Sequence, residues 1–95
     1  MVLSEEVLTA IEDNARLFFT DKQIAIIVQI PYISFKAMAE DEDDPVHLAL
    51  AKGRLMSEAE VRKSIFELAT SGSSPAQQLA LKYIQDHKID NLDEE

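Results

Sequence analysis

The chain has 95 residues, 46% of them hydrophobic, no cysteine or tryptophan, and a formal charge of −9. That length holds one domain with a modest core, which makes self-association a natural way to cover the remaining apolar surface. The composition excludes disulfides and thiolate metal sites. His47 and His87 stand alone, no apolar run reaches the ~20 residues of a membrane span, and Glu5 and Glu6 follow Met1 too soon for a secretory signal, so an intracellular chain without metal or cofactor is expected.

Taken in chain order, the caps and periodicity predict an all-α fold of about five helices. Ser4 reads as an N-cap with Glu5 and Glu6 in the first turn, and Val7, Leu8, Ile11, Ala15 and Phe18 recur at helical spacing behind it. Thr20 with Gln23 forms a capping box for a second helix, whose inner face is Ile24, Ala25 and Val28. Ile30 and Pro31 mark a turn, because proline lacks the backbone donor and disfavours helix at the residue before it. A third helix then runs from about Tyr32 to Ala39 with Phe35 and Met38 inward. Small Ala25 allows the two helices to cross closely, so the second and third form a helix-turn-helix.

The acidic run Glu40 to Asp44 ends the third helix, and Asp44-Pro45 starts a fourth, expected over Val46 to Ser71. One stripe of this helix, Leu48, Ala51, Leu55, Ala59, Ile65 and Ala69, is apolar and expected to pack on the other helices. A second stripe, Gly53, Ser57, Val61, Ser64 and Leu68, is rich in small residues and permits close approach of a helix, either within the monomer or from a second subunit. If it is a subunit interface, enlarging Gly53 or Ser57 disrupts assembly more than folding. Glu58 with Arg62, Glu60 with Lys63 and Lys63 with Glu67 are spaced as surface pairs worth ~0.3 kcal/mol each. Gly72 ends the fourth helix. Ser74 and Gln77 then read as a capping box for a shorter fifth one, with Ala76, Leu79, Ala80, Tyr83 and Ile84 on its apolar face. The expected organisation is a helix-turn-helix module with its acidic linker over 1–44, an oligomerisation region over 45–89, and an acidic tail over 90–95. Leu92, Asp93, Glu94 and Glu95 are the tail residues available to a partner.

Charge is unevenly spread: residues 1–44 carry −7, residues 45–82 carry +2 and residues 83–95 carry −4. The helix-turn-helix therefore lies in the most acidic third, where phosphate affinity should be poor. No grouping of Ser, His and an acid is visible, and two glycines leave no Gly-rich phosphate loop, so no enzyme is expected.

The segment from Phe19 to Ile84 resembles the helix-turn-helix region of small terminase subunits of tailed bacteriophages. The residues that carry the likeness are Ile24-Ala25 with Phe35, Asp44-Pro45, Lys52-Gly53-Arg54, Glu58 to Lys63 and Ser71-Gly72-Ser73, in that order. The resemblance implies a non-catalytic, ring-forming homo-oligomer in the host cytoplasm that recognises double-stranded viral DNA and regulates the large terminase subunit carrying the ATPase and nuclease. Gln29 stands where the family's turn usually has glycine, which implies a less strained or slightly altered turn. The chain is short for the family, which leaves the fifth helix and the acidic tail to contact the large subunit. Lys22, Tyr32, Ile33, Lys36, Lys52 and Arg54 are the candidate DNA contacts. The positions expected to face a groove, Tyr32, Ile33, Lys36, Ala37 and Glu40, contain no Arg, Asn or Gln for bidentate base reading. A different class fits the same residues: a small helix-turn-helix transcriptional regulator, or an acidic protein-binding adaptor that does not contact DNA.

Overall fold

Helix α1 (Glu5–Arg16) begins where the Ser4 hydroxyl accepts the Val7 backbone N–H, with Glu5 and Glu6 in the positive first turn and Arg16 in the last. The computed structural model describes residues 2–94, and side chains for residues 2–89. Helix α2 (Asp21–Ile27) opens with the capping box expected from sequence. Gln23 N–H donates to Thr20 Oγ1 at 3.2 Å, and Thr20 N–H donates to Gln23 Oε1 at 2.9 Å. Helices α3 (Tyr32–Glu40), α4 (Pro45–Thr70) and α5 (Ser74–Glu94) complete an all-α chain with five helices and no strand among the described residues.

Three of the helices end in one way. At the end of α1, Phe18 N–H donates to Ala15 O and Phe19 N–H to Asn14 O, with Phe18 at φ 60°. The end of α2 repeats this with Gln29 N–H to Ile26 O, Ile30 N–H to Ala25 O, and Gln29 at φ 60°. At the end of α4, Gly72 N–H reaches Ala69 O and Ser73 N–H reaches Leu68 O, with Gly72 at φ 103°. This double reach satisfies carbonyls that the last helical turn would leave without partners, and it needs one left-handed residue. Gln29 therefore does not relax the turn as its side chain suggested. The left-handed geometry is kept at a position where a Cβ costs on the order of 1 kcal/mol. The same geometry turns Phe18 outward, so it leaves the core face of α1 to which its spacing assigned it.

The chain divides into two units, residues 1–58 and 59–95, with the division inside α4. In the N-terminal unit Ile11, Ala15, Ile24, Ala25, Phe35, Ala39, Val46 and Leu50 form one buried cluster, flanked by Leu3, Val7, Leu8, Val28, Ile30, Met38 and Ala49. Phe35, Ile11, Ile24 and Val46 are its largest fully buried side chains, each contributing about 1.5–3 kcal/mol by burial. The unit thus takes in the first half of α4 together with the segment 1–44.

The face that α4 turns to this core differs from the one expected. Val46, Leu50 and Gly53 are buried, whereas Leu48 and Leu55 remain 58% and 63% exposed. The reason is Gly53: a Cβ built there would overlap the Glu12 carbonyl oxygen and lie 2.9 Å from Ala15 Cβ and 3.2 Å from Arg16 N. The close approach is made with α1 of the same chain, which corrects the placing of Gly53 in a subunit interface. The remaining stripe members Val61, Ser64 and Leu68 are exposed, and Ser57 is half-buried.

In the C-terminal unit, the Ser73 hydroxyl accepts the Ala76 N–H at 3.4 Å, so the fifth helix is capped one residue earlier than Ser74. Gln77 does not close a box. Its side-chain amide donates to Ala69 O at 3.1 Å, tying the start of α5 to the end of α4. Arg62, which stands between Ala59 and Ile65 in the apolar stripe of α4, lies 4.3 Å above the Tyr83 ring. Helix α5 continues to Glu94 rather than giving way to a tail at residue 90. The side chains of Leu92, Asp93 and Glu94, and Glu95 as a whole, lie outside the described residues.

Gln29→Gly removes the left-handed penalty while leaving both turn hydrogen bonds in place. It should raise stability by about 1 kcal/mol in urea-induced unfolding. Gly53→Ala should act in the opposite sense, lowering the stability of the N-terminal unit by about 2 kcal/mol, because backbone of α1 has to move.

Candidate functional site

The helix-turn-helix presents its outward surface on α3. Phe35 and Ala39 point the helix into the core, with Ser34 and Met38 half-buried beside them. That leaves Tyr32, Ile33, Lys36, Ala37 and Glu40 exposed on the other side. These are the five positions expected to face a groove. Ile33 is 85% exposed and Tyr32 40%.

The electrostatics of this face are set by pairing. Lys36, its only cation, lies 3.9 Å from Glu40 one turn on, so the pair leaves little net charge for a phosphate. Beyond it the chain bends through Asp41, Glu42 and Asp43, all exposed. The Asp41 carboxylate accepts the Asp43 N–H at 3.0 Å, and the Asp44 carboxylate accepts the Val46 N–H at 2.8 Å to cap α4. His47 Nδ1 lies 2.7 Å from Ala39 O. Because a carbonyl can only accept, Nδ1 carries the proton there and holds the end of α3 against the start of α4.

The other three cations proposed for DNA lie elsewhere. Lys52 pairs with Glu12 of α1 at 3.4 Å. Arg54 Nη2 donates to Asp21 Oδ1 at 2.8 Å and to Phe19 O at 3.2 Å, so its guanidinium ties α4 to the turn between α1 and α2. Neither belongs to the α3 face, and Arg54 acts as a structural tie. Lys22 is exposed at the start of α2. Tyr32, Ile33 and Lys36 are thus the candidate contacts that share one surface.

Sequence reasoning missed the Arg54–Asp21 tie and the His47–Ala39 bond. A signal for the first was present: a glycine inside a helix marks a close approach, and its charged neighbours Lys52 and Arg54 then sit at the edges of the crossing. A recess of about 200 Å³ lined by Val2, Leu3, Leu8, Asp44, Pro45 and Val46 is mainly apolar. No group of three or more His, Cys, Asp or Glu is placed to hold a metal ion among the described residues. No described helix is long and apolar enough to cross a membrane.

Comparison with protein-family models, curated proteins and solved structures finds no match to this chain.

Both Arg54 bonds leave from Nη2, and the ammonium of Arg54→Lys sits one bond nearer the backbone, so the charge is kept while the reach to both Asp21 and the Phe19 carbonyl is lost. The loss should be about 0.5–1 kcal/mol in urea unfolding, a modest figure because both partners are about a third exposed.

Proposed function

We propose that the chain is a non-catalytic subunit of the small-terminase type, acting in the host cytoplasm within a viral DNA-packaging complex and self-associating as a ring through its C-terminal helices. The observation that carries this reading is the unsatisfied surface of the C-terminal unit. Among the described side chains Ala76 and Ala80 are its buried apolar residues and Ile65, Ala69 and Tyr83 are half-buried, while Val61, Phe66, Leu68, Leu79, Leu81 and Ile84 stay exposed. Among the described residues the two helices bury little apolar area between them, and neighbouring copies can supply the missing side. Val61, Ser64 and Leu68 follow one another at helical spacing and are the residues assigned to that contact. The order of parts, a helix-turn-helix followed by a long helix and a shorter C-terminal one, supports the same reading, and the large terminase subunit is then its expected protein partner.

In this reading DNA contact is weak per subunit, because Lys36, Lys52 and Arg54 each have an acidic neighbour. Repetition around an oligomer multiplies what Lys22 and such residues contribute. The same ion pairs favour a second reading, an acidic adaptor that does not touch DNA.

Light scattering of the native assembly tests the first reading. A single closed species of many subunits is expected, and Val61→Glu combined with Leu68→Glu should reduce it to monomers with the N-terminal unit still folded. A monomeric wild-type chain would overturn ring assembly. Retardation of duplex DNA by the assembled protein at about 50 mM salt, lost by about 200 mM, is the signature of summed phosphate contacts. No retardation at either salt would leave the adaptor.

A further inference from the structure

We propose that the outward face of α3 docks a cationic protein segment, an amphipathic helix with large aliphatic anchors at one end and Lys or Arg about two turns away, rather than the phosphate backbone of DNA. The inference deepens the proposed function by naming the chemistry of the partner of its helix-turn-helix, and it rests on that reading only there. Ring assembly depends on different residues.

The apolar end of the face is Tyr32 and Ile33. An isoleucine 85% exposed on a helix whose opposite side is fully packed leaves most of a large aliphatic side chain in water. Covering it is favourable at about 25 cal/mol per Å², and an aromatic neighbour suits the core of a protein interface. The other end is negative for two reasons. Residues 32–44 carry one base against five acids, and the base is paired to Glu40. The last turn of α3 also has no basic residue, so its carbonyl end adds to the negative potential.

The Glu42 and Asp43 carboxylates have no hydrogen-bond or ion-pair partner among the described residues, whereas those of Asp41 and Asp44 are used to shape the bend. From Ile33 to Glu40, the last helical residue before these carboxylates, is roughly 10 Å at 1.5 Å per residue. That distance sets the separation of anchor and charge in a complementary helix. Phosphates meet the reverse of what they need: repulsion at the acidic end and no bidentate base-reading side chain on the face. The surface is also held in shape before any partner arrives. Phe35 and Ala39 lock α3 into the core, and the bonds from His47 to Ala39 O, Asp43 to Asp41 and Val46 to Asp44 fix the bend, so docking orders little new backbone.

The test uses the full chain and a labelled synthetic 18-residue helix-forming peptide with leucines at one end and lysines two turns on. Controls are the same peptide with glutamate for lysine and a 20-base-pair duplex, all followed by fluorescence anisotropy at about 0.1 M salt. The lysine peptide should bind, and the glutamate peptide should not. Ile33→Asp should weaken binding at least tenfold, with unchanged circular dichroism because the side chain is exposed. Glu42→Gln with Asp43→Asn should weaken it about fivefold and flatten its salt dependence. Glu5→Gln with Glu6→Gln, which removes equal charge from α1, should leave it within twofold.

Binding of the lysine peptide that is indifferent to Ile33→Asp, or equally sensitive to the Glu5 and Glu6 changes, would overturn the site. So would duplex binding that Lys36→Ala abolishes. Light scattering on Ile33→Asp keeps the two readings apart: the assembly mass should match wild type, and its collapse would show α3 holding a second copy instead.

Discussion

The N-terminal unit depends on the contact between α4 and α1 at Gly53. With hydrogen in place of a side chain, the α4 backbone lies directly against the Glu12 carbonyl and Ala15, closer than any other residue allows. Once this crossing is set, Val46 and Leu50 fall toward Ile11, Ile24 and Phe35 and close the core. Lys52 and Arg54, on either side of Gly53, come within reach of Glu12, Asp21 and the Phe19 carbonyl. One packing constraint thereby decides both where the core lies and what two of the chain's nine cations do.

Much of the fold was legible because its signals were local. Ser4, the Thr20–Gln23 box, Asp44-Pro45 and Gly72 each act within a few residues of a helix end, and each marks one in the structure. Of the inner residues expected for the helix-turn-helix, Ile24, Ala25 and Phe35 are buried and Val28 and Met38 half-buried, since a short amphipathic helix has one choice of inner face. The orientation of α4 was not legible from periodicity. Its apolar residues are distributed around the helix, and the face that packs is chosen by where α1 permits approach. Leu48 and Leu55 made the expected stripe look stronger than the one containing Gly53, because hydrophobicity counts side chains and a close crossing needs their absence. Capping at Ser73 instead of Ser74 is a smaller error of the same local kind.

The candidate surface was legible as geometry but not as electrostatics. The five exposed positions of α3 follow from the inward spacing of Phe35 and Met38. Which cations stay available does not follow from spacing, since the partners of Lys52 and Arg54 are 33 or more residues away for Arg54 and on another helix for both. Of the three pairs made by Lys36, Lys52 and Arg54, that of Lys36 with Glu40 lies within one helical turn.

A helix-turn-helix is first a solution to packing, and DNA recognition is something added to its outward side. Here that side carries an exposed isoleucine, a tyrosine, an internally paired lysine and an acidic exit, while two further cations serve the interior edges of the fold. Each lysine or arginine engaged by a carboxylate of its own chain contributes less to a phosphate, because a new contact must first disrupt the old one. The small energy of each exposed pair means the effect on folding is slight. The effect on recognition is larger, because attraction to a polyanion accumulates over cations, and the acids beside them subtract from it. The same residues that make the N-terminal unit a poor match for DNA make it a complementary one for a basic protein surface.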